Sequence, residues 1–167
     1  MEAPPLMGTQ PLPFKGFWIR FLAAIIDGVI IVFALVAVAL VFGIFFSSLF
    51  GVGVGVGAAI IMFVLTAIAA QLLYKPLMES SEYQGTLGKH FLNIKVVDKH
   101  GRRITRTKSF IRTIIHLLES AIPFAWLAFF IIAFTDENQG LHDMAAETYV
   151  VSKYWQGPIP LQDNFGA

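Results

Sequence analysis

Residues 17–46 read FWIRFLAAIIDGVIIVFALVAVALVFGIFF, and between Phe21 and Phe46 the only charged residue is Asp27. At 1.5 Å per residue, a helix of this length exceeds the roughly 30 Å hydrocarbon core of a bilayer. Lys15, Trp18 and Arg20 precede or open the apolar run, as interfacial anchors do. The stretch therefore predicts a tilted membrane-spanning helix over residues 17–46.

The composition of the whole chain supports a membrane protein. The chain has 167 residues, of which 56% are hydrophobic and 14% are charged, whereas soluble domains are about 25% charged. Soluble enzymes are thereby excluded, and we predict a non-enzymatic integral membrane protein with one domain. The chain has no cysteine, which excludes disulfides, zinc thiolate sites and cysteine nucleophiles.

Prolines, glycines and a second apolar run divide the rest of the N-terminal half. Residues 1–16 contain four of the eight prolines and predict a flexible tail. Residues 47–57 read SSLFGVGVGVG and predict a tight exterior connection, in which small residues favour helix packing or self-association. A second spanning helix is predicted over residues 58–75, where Lys75-Pro76 ends it.

Most of the basic residues follow this second helix. Residues 75–112 contain nine of the twelve Lys and Arg, so the loop 76–106 and the N-terminus are predicted to be cytoplasmic. Residues 91–97 alternate as a strand does, residues 98–101 form a turn, and residues 102–105 are predicted to return as a second strand. Residues 148–151 are also strand-like and could pair with 91–97.

The segment after this loop leaves two topologies open. Residues 107–121 predict an amphipathic helix and residues 123–135 an apolar helix, with Pro123 between them. The apolar run 124–134 is too short to span alone, so either 113–134 is one kinked crossing or the two helices form a returning hairpin. We favour the hairpin, because it places residues 148–151 and both termini in the cytoplasm. Residues 153–167 are predicted to be a C-terminal tail.

The predicted fold is thus an all-α membrane protein with two full transmembrane helices, a Pro-broken helical hairpin and a small cytoplasmic β-hairpin or sheet. Asp27 is its most informative polar residue, because a carboxylate within a spanning helix must face protein, water or a cation. Arg20 lies seven residues earlier on the same helical face, so we expect the two side chains to be neighbours. Their pairing is consistent with a proton or cation site and equally with a structural ion pair.

A second polar stripe lies on the amphipathic helix, where Lys108, Arg112, His116 and Glu119 share one face. One interpretation is a proton relay; the other is an interfacial helix with its basic face among lipid headgroups. For Lys108 and Arg112 we favour the headgroups, and for Glu119 both interpretations stay open.

Other motifs have simpler interpretations. His142-Asp143 has no second cluster at metal-ligand spacing, so we predict no metal site. Gly85-Thr-Leu-Gly-Lys89 has two residues between its glycines where a phosphate loop needs four. We expect Gly85 and Gly88 at turns and Lys89 near the headgroups.

Six short motifs, in a fixed order along the chain, resemble the signatures of one family of small membrane proteins. They are WIR (18–20) with IID (25–27), ESSEYQGTLGK (79–89), IKV (94–96) with Gly101, Arg112, QGLHD (139–143) and TYV (148–150). This pattern resembles the RDD family, which is named for an Arg and two Asp, and it covers residues 16–152. The resemblance implies that Asp143 is the second Asp, closing onto Arg20 or Arg112.

The resemblance also implies a function, because the family has been associated with cation/proton exchange. We expect a homo-oligomeric transporter in a bacterial inner membrane that exchanges monovalent cations for protons, without a cofactor. Asp27 would carry the ion, Arg20 and Asp143 would set its charge state, and His116 and Glu119 would relay protons. The alternative is a non-transporting scaffold or accessory protein. Expected partners are the bilayer and anionic headgroups rather than nucleic acid, and the loop residues of interest are Glu79, Gln84, Thr86, Gly88 and Lys89.

Overall fold

The computed structural model describes residues 13–121, 132, 135 and 137–160. In chain order its elements are α1 (Phe17–Phe50), α2 (Val52–Ala69), a π-helical turn (Ala70–Tyr74), α3 (Lys75–Glu79), α4 (Leu87–Phe91), β1 (Ile94–Asp98), α5 (Arg106–Ala121), α6 (Leu141–Ala145) and β2 (Thr148–Ser152). These described residues are mostly helical, with one small sheet.

Two long apolar helices pack against each other and are joined by a single residue. Gly51 makes the connection with a φ of 89°, so the prediction of a connection over residues 47–57 is wrong. The glycines of this stretch instead allow a close helix crossing, as their spacing indicated. A Cβ on Gly55 would lie 1.7 Å from Ser47 Oγ and 2.5 Å from the Gly43 carbonyl oxygen.

The second apolar helix also continues past its predicted end at Lys75-Pro76. Pro76 has no N–H and its ring crowds the carbonyl four residues earlier, but the preceding turn is a π-turn with a different hydrogen-bond register. The chain therefore stays helical into α3. Phe17–Phe50 and Val52–Glu79 are both long and apolar enough to cross a membrane.

The sheet joins two segments that are far apart in the sequence. β1 and β2 are antiparallel, with Val96 opposite Val150, which confirms the pairing of 148–151 with the strand in 91–97. Phe91 ends α4, so the strand begins only at Ile94. The returning strand at 102–105 is wrong: this segment contributes a single bridge, Val97 to Arg103, on the edge of β1 opposite β2. The ladder does not continue there because Val96 N donates to the Gln84 carbonyl instead.

Residues from both predicted tails pack against the sheet. Lys15 N donates to the Val150 carbonyl at 3.0 Å, and Ile159 N donates to the Lys99 carbonyl at 3.1 Å. Ile159 is buried in an apolar cluster with Val97 and Val151. Residues 13–15 and 159 are therefore ordered parts of the folded unit rather than flexible tail.

Helix α5 matches the predicted range, but its polar face points inward. Arg112 and Thr113 are buried, whereas Ile114 and Leu118 are exposed. The prediction that Arg112 faces lipid headgroups is therefore wrong. The predicted helix 123–135, and with it the choice between a kinked crossing and a returning hairpin, lies outside the described residues apart from isolated positions.

Candidate functional site

Asp27 is held by the segment that follows α3. Its carboxylate accepts hydrogen bonds from the Thr86 hydroxyl, from the Gly88 backbone N–H at 2.8 Å and from the Tyr74 hydroxyl at 3.1 Å. Tyr74 in turn accepts a hydrogen bond from Leu87 N at 3.0 Å. The first turn of α4 thus directs backbone donors, which have no partner within the helix, toward this group. The carboxylate is surrounded by neutral donors.

Gly88 makes this contact possible because it lies against α1. A Cβ at this position would lie 2.2 Å from the Ala23 carbonyl oxygen and 2.9 Å from Asp27 Cγ. Gly88 is part of α4, so its prediction as a turn residue is wrong, and its role is to permit close approach. Gln84 supports the same loop: its carbonyl accepts a hydrogen bond from Val96 N at 2.6 Å.

Arg20 does not pair with Asp27, contrary to the sequence-based prediction. Its guanidinium group is bonded to Asp143 and to the Lys15 carbonyl, the latter at 2.7 Å. Side chains on a helix lean toward its N-terminus, so Arg20 points away from Asp27 and toward α6. The expectation that Asp143 closes onto Arg20 or Arg112 holds for both arginines.

A buried ionic cluster forms where α1, α3, α4, α5 and α6 meet. Arg112 lies at its centre, with Nη2 at 2.6 Å from Asp143 and Nε at 3.6 Å from Glu79. Lys89 Nζ is 2.6 Å from the other Glu79 oxygen. The side chains of both carboxylates are 0% exposed. Lys89 is buried, so its predicted place near the headgroups is wrong.

Each ionised group in this cluster is stabilised by its oppositely charged neighbours. Burial alone raises the pKa of Asp143, but Arg112, His142 and Arg20 outweigh it and hold the pKa well below 3.8. Burial lowers the pKa of Lys89, while Glu79 opposes that change. Removing one partner from such a cluster leaves an uncompensated buried charge, which is strongly destabilising.

His142, considered from the sequence only as a metal ligand, joins the cluster to Glu119. His142 Nδ1 is 3.0 Å from Glu119, and its Nε2 is 3.4 Å from Asp143. The His116 ring packs edge-on against His142, with the ring centroids 5.1 Å apart. Burial lowers the pKa of His142 below 6.5. Glu119 and His116 are thus grouped with Asp143, whereas Asp27 accepts its hydrogen bonds from Tyr74, Thr86 and Gly88.

Two further residues of the site were missed by sequence reasoning. Tyr74 bonds to Asp27, and Lys75 contributes positive charge near Glu79. A tyrosine hydroxyl at the end of an apolar helix needs a partner, and this was the available signal. Across residues 13–121, 132, 135 and 137–160, no three His, Asp or Glu side chains are grouped so as to hold a metal ion.

Comparisons with known proteins find relatives over most of the chain. The chain is 33% identical over 149 residues to the "Uncharacterized protein YxaI" of Bacillus subtilis (strain 168), covering 83% of this chain and 97% of the relative. It is 27% identical over 149 residues to the "Uncharacterized membrane protein YteJ" of the same organism, covering 83% and 80%. No solved structure matches the chain significantly. The sequence profile of the RDD family matches residues 14–147, so the chain belongs to the RDD family.

Proposed function

We propose that this protein is a membrane transporter that binds a proton or a monovalent cation at Asp27. The observation that carries the proposal is the type of partner around each carboxylate. Glu79, Asp143 and Glu119 face Lys, Arg or His side chains, whereas Asp27 accepts hydrogen bonds from two hydroxyls and one backbone amide.

Neutral donors leave the charge of Asp27 available for a cation. A carboxylate inside an apolar helix is costly unless it is paired or protonated. Hydroxyl and carboxylate oxygens are suitable ligands for a small hard cation, and the same carboxylate can take a proton instead. Alternate occupation of one site by a cation and a proton is the requirement for exchange.

A membrane location follows from three consistent observations: the family, a relative described as a membrane protein, and two apolar helices of spanning length. Residues 13–15, β1 and β2 share one sheet, which supports a single side of the membrane for all three. The many Lys and Arg within residues 75–112 support a location of this sheet on the cytoplasmic side of a bacterial inner membrane.

Two long helices enclose little space, so we place the pathway between subunits of a homo-oligomer.

The ionic cluster favours a second candidate function, a non-transporting scaffold. Arg20 and Arg112 pair with Asp143, and Lys89 pairs with Glu79. Charges that satisfy each other lock the helices together and need no transported ion. In this second function Asp27 would only attach α4 to α1.

Ion flux distinguishes the two functions. Purified protein is reconstituted in liposomes that contain a pH-sensitive dye, and a Na⁺ or K⁺ gradient is imposed. Transport predicts proton movement that is lost in Asp27→Asn and retained in Glu147→Gln, which removes an exposed carboxylate. A wild-type protein without flux supports the scaffold. Flux that persists in Asp27→Asn places the ion site elsewhere.

A further inference from the structure

A polar cavity of about 330 Å³ lies beside the end of α3 and the start of α5. Its lining includes Arg103, Thr105 and Arg106 from the segment that leads into α5, and Leu77, Ser80, Ser81 and Glu82 from α3 and the turn after it. None of these residues belongs to the Asp27 site or to the buried ionic cluster.

The two arginines give the cavity its character. Both are exposed, and neither forms a salt bridge within the part of the chain that the structure describes. Ile104 between them is 2% exposed, and this buried side chain fixes the backbone from which both arginines extend. The hydroxyls of Ser80 and Ser81 donate to backbone carbonyls of α3, so the guanidinium groups are the main free donors.

The start of α5 adds a second attraction for negative charge. Arg106 is the first residue of a 16-residue helix, and Thr105 Oγ1 accepts a hydrogen bond from Lys108 N at 3.3 Å. The first turn of a helix carries partial positive charge and backbone donors. Guanidinium groups match phosphate oxygens in pairs of parallel hydrogen bonds.

The position of the cavity suggests where such a phosphate would come from. The helical segment Val52–Glu79 has 28 residues and would be about 42 Å long, so its end extends beyond a hydrocarbon core of roughly 30 Å. Leu77, which is 46% exposed, lines the cavity together with the two arginines. A phosphate bound to the arginines would therefore lie next to an apolar side chain, as a lipid headgroup lies next to its acyl chains.

We infer that this cavity binds the phosphate group of a monoester or diester, through Arg103 and Arg106 at the start of α5. The inference is independent of transport at Asp27, because it uses different residues and a different class of ligand.

The test uses the full chain in detergent with two probes. Inorganic phosphate is titrated by calorimetry, and retention of dioleoyl phosphatidylglycerol against dioleoyl phosphatidylcholine is measured by native mass spectrometry. The variant Arg103→Gln/Arg106→Gln is compared with Lys99→Gln/Arg102→Gln. The control removes the same charge from exposed positions outside the cavity.

We expect at least tenfold weaker binding in Arg103→Gln/Arg106→Gln and less than a twofold change in the control. Glu82→Gln should bind more tightly, because it removes a negative charge from the lining. Retention of the anionic lipid without binding of inorganic phosphate identifies a headgroup as the ligand, and binding of both identifies the phosphate group itself. Equal losses in the two double variants, or no binding of either probe, would overturn the inference.

Discussion

Replacing Gly88 by alanine tests the contact between α4 and α1. The added Cβ would lie 2.2 Å from the Ala23 carbonyl oxygen, so the two helices must separate by about 1 Å. That movement lengthens the 2.8 Å hydrogen bond from Gly88 N to Asp27. Overpacking costs about 1–3 kcal/mol, and a lost hydrogen bond to a charged group costs about 1.5–3 kcal/mol.

The summed loss of about 2.5–6 kcal/mol should lower the Tm of the detergent-purified protein by about 5–24 °C, since 1 kcal/mol changes the Tm by about 2–4 °C for a chain of this size. Gly57→Ala is the matched control, because its Cβ would meet nothing within 4 Å. Alanine is the better helix former, so this variant should keep or raise the Tm. In an Asp27→Asn background the Gly88→Ala loss should shrink, because the charged partner is already gone. A Gly88→Ala protein that melts within 2 °C of wild type would refute the close approach of these helices.

Three further predictions concern the ionic cluster and the topology. Arg112→Gln should cost about 3–5 kcal/mol of unfolding free energy, and a double-mutant cycle with Asp143→Asn should give a coupling of about 0.5–3 kcal/mol; strict additivity would contradict the contact. Because burial lowers the pKa of His142 beneath 6.5, the unfolded chain takes up that proton first. The Tm should therefore fall as the pH drops below 6.5, and His142→Gln should flatten that decline. The pKa of Asp143, held below 3.8, adds a second loss as the pH falls through and below 3.8. Tyr154 is 76% exposed, and Tyr154→Cys, in a chain without cysteine, should react with an impermeant thiol reagent only in opened cells; labelling of intact cells would exclude a cytoplasmic sheet.

Several elements could be predicted from local pattern. The long apolar helix needed no tertiary information, because a run of apolar residues with one charge fits a bilayer wherever its neighbours lie. The pairing of β2 with β1 followed from the alternation of both segments. The helix boundaries between residues 47 and 58 could not be predicted in this way. The glycines there are typical of a loop, but in the folded chain they lie within a helix, where Gly55 allows close approach to Ser47.

The motif residues themselves were chosen correctly from the sequence, but their partners were not. Spacing along α1 suggested that Arg20 pairs with Asp27, and the amphipathic pattern of α5 suggested that Arg112 faces headgroups. Both depend on which elements surround the helix, and spacing along one helix carries no such information. Packing of α4 against α1 gives Asp27 neutral donors, while α6 brings Asp143 to Arg20 and Arg112. The sequence by itself determined the apolar helices, the charged residue types and the family. Only the tertiary structure decided which charges neutralise each other, because buried ionic groups are stabilised by neighbours that are distant in the chain.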